Sequence, residues 1–443
     1  MLKRKAIDQL AAWKAKDKKK CLIVQGARQV GKTYLIEAFA NENYEEVLSV
    51  NFKKTPSAKE IFSGDLDTET LLRALKFRYP GYRLEPRPQM PSVKAPTLLF
   101  FDEIQECPEA ITSLKFWTMD GRYDVIASGS LLGIDYNRAS SYPVGYVDYL
   151  MMYGLDFEEF LWAQGITQES VDVLRDAFKE RRTMPEAIHS EMMRQFRTFM
   201  ALGGMPEVVQ RFQDTGDFKA ADETQRSILT DYLYDIAHYA TASEKIKAEK
   251  CFLSLGRQLL DKENHKFQYK EVEKGARAQK YLTSIDWLTR ANIAQVSRNV
   301  SKIQFDLEDY QIDDNFRVYP TDLSLLLAMR DFSLKQQIVE NSILDNTKGG
   351  MYESVAADLL QKKGYVLHFY RDEKTKREIE FLIQKDGQVI PIEIKAGRTP
   401  AKSLTEVVKA NDRVAYAYKF LDGNVGVSDT GVISMPLYML MFV

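Results

Sequence analysis

The sequence predicts a multidomain α/β protein, and three observations carry that prediction. A chain of 443 residues exceeds what one core organises, since domains usually run to roughly 100–200 residues, so about three are expected. Short apolar runs alternate with helical stretches from Cys21 to Ser130, the pattern of a parallel sheet covered on both faces. The periodicity then changes twice, to helices beyond about Leu155 and to mixed helix and strand after Asn346. The expected domains are 1–160, 161–340 and 341–443.

Met1 to Lys20 reads as a basic amphipathic helix carrying Ile7, Leu10, Ala11 and Trp13, without the continuous apolar stretch of a secretory signal. A strand at Leu22 to Val24 leads through a glycine-containing turn into a helix from Lys32 to Ala40. Further strands are expected at Glu46 to Phe52, Thr97 to Phe101 and Tyr123 to Ser128. Pro80, Pro86, Pro88, Pro91 and Pro96 mark Tyr79 to Pro96 as an extended loop.

In the middle of the chain, Gln168 to Lys179, Glu186 to Leu202, Ala220 to Ala240 and Lys245 to Leu260 place apolar residues three and four apart and are predicted helices. Arg277 to Arg290 follows as a helix with Ala278, Leu282, Ile285 and Leu288 on one face. Two strands, Ile293 to Ser297 and Lys302 to Leu307, come next, and helix plus hairpin suggests a winged helix-turn-helix. The last part reads as a helix from Met351 to Lys363 and strands at Val366 to Tyr370, Glu378 to Ile383 and Val389 to Lys395.

Hydrophobic residues at 45% and charged residues at 28% match an ordinary globular protein. The net charge of -2 and a pI near 6.2 restrict nucleic-acid contact to local basic patches. Cys21, Cys107 and Cys251 are widely separated and form no C-x-x-C pair, which argues against a disulfide framework or a zinc site and for a reducing cytoplasm. Leu437 to Val443, the most apolar end, is far shorter than the roughly 20 residues of a spanning helix, so no membrane partner is expected. His189, His238, His265 and His368 lack metal-ligand spacing. Nothing in the sequence sets an oligomeric state.

The chemistry is concentrated near the start. Gly26-Ala27-Arg28-Gln29-Val30-Gly31-Lys32-Thr33 matches G-x-x-x-x-G-K-[ST], with a strand before it and a helix after it. Such a P-loop wraps phosphates in backbone N–H groups at a helix N-terminus, so ATP with Mg2+ is the expected ligand. Lys32 would reach the β and γ phosphates and Thr33 would hold magnesium. The strand Leu98-Leu99-Phe100-Phe101 delivers Asp102, a second magnesium ligand, and Glu103, placed to orient or deprotonate the attacking water. Ser128, at the end of the next strand, is the candidate sensor of the γ phosphate.

These segments resemble a family of prokaryotic AAA-like P-loop ATPases with a C-terminal domain of unknown function related to restriction endonucleases. The resemblance rests on GARQVGKT from Gly26, LLFFDEIQECP from Leu98, ASGSLLG from Ala127, GGMPEVV from Gly203, FRVYPTDLSLL from Phe316, GGMYESVAADLL from Gly349 and VIPIEIKAG from Val389. It implies an ATPase core, a helical and winged-helix middle and a nuclease-like α/β end, and puts the phosphate and magnesium roles on Lys32, Thr33, Asp102 and Glu103. It also implies an arginine finger, for which Arg28, Arg122 and Arg138 are near in sequence but none is assigned.

At the C-terminal end, Glu353, Glu380, Glu393 and Lys395 follow the order of a PD-(D/E)xK metal site, with glutamate at 380 where the family has aspartate. For DNA contact the candidates are Arg277, Gln279, Lys280, Arg290 and Arg298, with Lys14, Lys16, Lys18, Lys19 and Lys20. Three functions are therefore expected in turn: an ATPase that drives domain rearrangement on DNA, an ATP-gated nuclease, and a non-enzymatic nucleotide switch that recruits a protein partner.

Overall fold

The computed structural model of the protein describes residues 2–88, 94–130, 143–239, 244–260, 266–343, 345–397, 401–411, 413–428 and 431–443. Leu131 to Gly133 of the ASGSLLG segment, Arg138 and His265 lie outside the described residues. The chain forms two compact units, residues 4–153 and residues 154–443 with 1–3.

The first unit is a five-stranded parallel sheet of β1 (Cys21–Gly26), β2 (Tyr44–Asn51), β3 (Ala95–Asp102), β4 (Asp124–Gly129) and β5 (Val147–Met152), in the order β2–β3–β4–β1–β5. The four inner and early strands lie where the apolar runs place them. β5 was not expected, because its outward residues Tyr149 and Met151 are apolar yet exposed, and its alternation is masked. Helix Ala6–Lys14 buries Leu10 and Trp13. One sheet face is covered by helices Thr68–Arg78 and Pro108–Asp120, around an aromatic cluster in which Phe62 and Phe101 meet edge to face at 5.5 Å. A fully buried phenylalanine contributes about 1.5–3 kcal/mol, so this cluster fixes the end of β3 that carries the acidic pair.

In the second unit, helices Gln168–Glu180, Glu186–Leu202, Phe218–Tyr239, Lys245–Gln258 and Ala278–Arg290 follow the predicted spans closely. The hairpin after them differs from expectation. β6 (Ala294–Val300) pairs with β7 (Gln311–Pro320), whereas residues 302–306 are bends and coil followed by the short 3-10 turn Leu307–Tyr310. Asp313 and Asp314 hide the strand in the sequence, while the run from Phe316 to Tyr319 buries it.

The hairpin is no isolated wing. β6 pairs in parallel with β8 (His368–Arg371), and the sheet continues through β9 (Glu378–Lys385), β10 (Gln388–Lys395), β11 (Ala417–Leu421), β13 (Val432–Pro436) and β12 (Gly426–Val427). The expected boundary at 340/341 therefore falls between strands of one eight-stranded mixed sheet.

Three motif segments of the resemblance interlock here. Gly204 accepts from Leu155 N at 2.6 Å and donates to Asp322 Oδ1 at 3.0 Å, while Lys362 Nζ bridges Asp322 and Asp358 at 2.8 Å each. A Cβ on Gly204 would strike the Leu155 carbonyl, so only glycine permits this crossing. Among the described residues no helix is long and apolar enough to cross a membrane.

Candidate functional site

β1 is buried along its whole length and ends at Gly26, whose Cβ would collide with the Met152 carbonyl on the neighbouring strand. The loop that follows needs left-handed backbone at Gln29 (φ 61°) and Gly31 (φ 87°). Helix Lys32–Asn43 starts directly after Gly31 with no side chain capping it, which leaves its first N–H groups directed at the loop. The buried Arg4 guanidinium donates to Val30 O at 3.1 Å and Tyr153 O at 2.6 Å and so ties the far side of the loop to the end of β5.

Lys32 Nζ donates to Gly26 O at 3.1 Å and Ala27 O at 2.8 Å, folding back over the loop. Burial pushes its pKa down from 10.5 to about 8, opposed by Glu103 and Asp102 and assisted by Arg28. That set of influences places Lys32 within electrostatic reach of both carboxylates. The ammonium is thus desolvated and held by two carbonyls of the loop.

Asp102 is the hub of the site. It is buried at the end of β3, and its carboxylate accepts from Thr33 Oγ1 at 3.2 Å on both oxygens, from Asn51 Nδ2 at 2.7 Å, from Glu103 N at 3.1 Å and from Ser128 Oγ. The expected partners Thr33 and Ser128 are thus brought onto one carboxylate. Thr33 and Asp102 form an all-oxygen pair, which suits magnesium held by one carboxylate, one hydroxyl, phosphates and water. Glu103 adopts left-handed backbone (φ 52°), and Gln105 Nε2 donates to its Oε2.

Asn51, Gln105 and Arg4 were not singled out from the sequence. Strand register would have found Asn51, because β2 and β3 align Asn51 with Asp102. Gln105 lies two residues beyond Glu103 on the turn that follows β3, but only the fold shows it pressed against Gly129.

The basic candidates are dispersed. Arg122 is held by Asp120 at 2.7 Å and Glu69 at 2.6 Å. Lys14 donates to Asn43 O, Lys16 pairs with Asp148 and Lys19 with Asp124, so much of the N-terminal lysine run serves internal contacts. Arg277, Gln279 and Arg290 are exposed, Arg298 is half-buried, and Lys280 pairs with Glu273 at 2.8 Å. His189 contacts Tyr438 and Asp422 O, and His368 contacts Gln311.

In the second unit Glu353, Glu380, Glu393 and Lys395 line one cavity of about 220 Å³. Lys395 Nζ lies 2.5 Å from Glu393 and 3.8 Å from Glu380, and Glu380 Oε2 accepts from Ile394 N at 2.7 Å. Burial, with Glu393 and Glu353 nearby, raises Glu380 to about 8 against the pull of Lys395. Glu353 is engaged elsewhere, by Arg317 Nη1 at 2.6 Å and Tyr319 OH at 2.5 Å, and Arg317 also pairs with Glu378. Among the described residues no group of three or more His, Cys, Asp or Glu is arranged to hold a metal ion. The donor set that the resemblance implies does not fit a metal in this arrangement.

A parallel sheet ordered β2–β3–β4–β1–β5, with a phosphate-wrapping loop after β1 and a carboxylate hub after β3, defines a P-loop nucleotide-binding domain. Residues 18–161 match the family model described as AAA domain. Residues 193–336 match a Domain of unknown function (DUF8612), and residues 348–438 match a Domain of unknown function (DUF4143). No curated protein matches the chain.

Among solved structures, the Aeropyrum pernix ORC1 protein in complex with DNA is similar at 11% identity, covering 77% of this chain and 93% of that one, with a TM-score of 0.28. AMPPCP-bound DnaA from Aquifex aeolicus is similar at 12% identity over 64% of this chain and 84% of its own, with a TM-score of 0.29. A signal transduction ATPase with a tetratricopeptide repeat sensor from Pyrococcus horikoshii shares 14% identity over 82% of this chain and 46% of its own, with a TM-score of 0.24.

Proposed function

We propose that the protein is a magnesium-dependent ATPase whose turnover drives rearrangement of its second unit, with duplex DNA as the surface on which it works. The observation that carries the reading is the convergence of Thr33, Asn51 and Ser128 on Asp102, one residue before Glu103 and within electrostatic reach of Lys32. On this reading the loop amides from Gly26 to Thr33 bind the triphosphate and Lys32 takes the β and γ oxygens. Thr33 and Asp102 hold magnesium, which neutralises charge building on the phosphates. Glu103 orients the water and accepts its proton. Ser128 reports the state of the γ phosphate to Asp102.

The test is phosphate release with and without duplex DNA, beside Lys32→Ala and Glu103→Gln. Turnover that rises on DNA and disappears in Lys32→Ala supports the reading. Turnover indifferent to DNA redirects it to a protein client. Phosphate release equal to that of Glu103→Gln supports a nucleotide switch in place of an ATPase.

A further inference from the structure

The C-terminal cavity holds its acids beside cations. Four carboxylates line it, Glu353, Glu378, Glu380 and Glu393; Arg317 and Lys395 lie among them and Arg371 pairs with Glu378, while Lys266 and Lys376 are exposed and Lys376 pairs with Glu373. A divalent ion binds where several carboxylate oxygens converge with unmet negative charge, and cations already paired with those oxygens repel it.

We infer that Arg317 and Lys395 stand where a divalent cation would act, and that the cavity is an ion-pair network joining hairpin β6–β7 to β9, β10 and helix Asp345–Lys362. Arg317 is fixed there. Its side chain is 5% exposed, its backbone is in register with Ser297 across the hairpin, and its guanidinium lies 4.5 Å from the Phe369 ring while bridging Glu353 and Glu378. Withdrawing it would leave Glu353 with no cation, held by Tyr319 OH, and Glu378 with Arg371.

Tyr319, two residues along the same strand face, donates to the Glu353 oxygen that Arg317 also uses. Lys395 occupies the gap between Glu380 and Glu393, the two acids on adjacent strands that would be shared by a metal. Among the described acids of the cavity, Glu393 Oε2 is the one oxygen buried with no hydrogen-bond partner, and one oxygen fills a single vertex of an octahedral ion. The network therefore ties the hairpin to the terminal strands by charge, with no metal in the tie.

The test is Mn2+ binding by electron paramagnetic resonance on the full chain without nucleotide, in a Thr33→Val background so that the P-loop contributes no metal. The expected result is no bound Mn2+ and uncut duplex DNA. Lys395→Met and Arg317→Met should each gain a bound Mn2+ that adding Glu393→Gln removes. Lys395 is 24% exposed against 5% for Arg317, so Lys395→Met decides the matter if Arg317→Met fails to fold. Mn2+ bound by the Thr33→Val chain and lost in Glu393→Gln would overturn the inference. So would folded Lys395→Met protein that gains no Mn2+, or DNA cutting that needs Glu393.

Discussion

Lys32 makes a quantitative prediction about proton linkage. Its pKa falls from 10.5 to about 8 on folding, chiefly through burial, so the unfolded chain holds one more proton than the folded chain between those values. Stability therefore rises with pH across that window, and the cost of burying the charge is fully present below pH 8. At 1.36 kcal/mol for each pH unit the fall sets a ceiling of about 3.4 kcal/mol. Lys32 is half-buried, so solvent screening reduces this to roughly 2 kcal/mol. Lys32→Met removes the titration while leaving every other group in place. Melting curves of the two proteins from pH 7 to pH 10 should converge in favour of the native chain by roughly 4–8 °C, since 1 kcal/mol shifts a domain of this size by about 2–4 °C. Bound triphosphate restores the lysine charge, so ATP affinity measured by calorimetry should weaken above pH 8 with uptake of a proton. A melting difference independent of pH, or equal ATP affinity at pH 7 and pH 9.5, would refute the reasoning.

Glu103→Gln should lower hydrolysis by at least about 100-fold with ATP affinity retained, as single-turnover and equilibrium binding would show together. Asn51→Ala removes the 2.7 Å donor to Asp102 and should raise the magnesium concentration for half-maximal turnover by roughly tenfold, with the melting temperature almost unchanged. Gln105→Leu frees the Glu103 carboxylate and should lower kcat while KM for ATP stays put; a parallel loss of both would mean that Gln105 only packs. Lys362→Met leaves Asp322 and Asp358 buried without their shared cation and should destabilise the second unit by about 3–5 kcal/mol in chemical denaturation.

Four strands of the parallel sheet were legible as short apolar runs, β5 was not, and the glycine-containing loop was legible because its backbone demands glycines at fixed spacing. Long helices such as Glu186–Leu202 were legible through their three-and-four spacing. What escaped depends on pairing. β7 was displaced because Asp313 and Asp314 interrupt its apolar pattern in a strand whose first half is solvated and whose second half is buried. Asn51 is ordinary in the chain and functional only because β2 and β3 are in register at their last residues. Lys14, Lys16 and Lys19 looked like a nucleic-acid patch because sequence displays charge without displaying the acids and carbonyls that answer it.

The same limit explains why the C-terminal acids and the P-loop acids must be judged differently. Both sets were found by residue type and order, and both are gathered by strand ends in the fold. At Asp102 the groups brought in are hydroxyls, an amide and a backbone N–H, neutral donors that orient a carboxylate and leave its charge for an ion. At Glu353, Glu378 and Glu393 the charged groups brought in are the Arg317 and Arg371 guanidiniums and the Lys395 ammonium, which consume that charge. A carboxylate surrounded by neutral donors still attracts a cation, whereas one already paired must first give up a buried partner. The partners of each acid, which only the fold reveals, thus separate a carboxylate whose charge stays open to a cation from carboxylates whose charge is already met by cationic side chains.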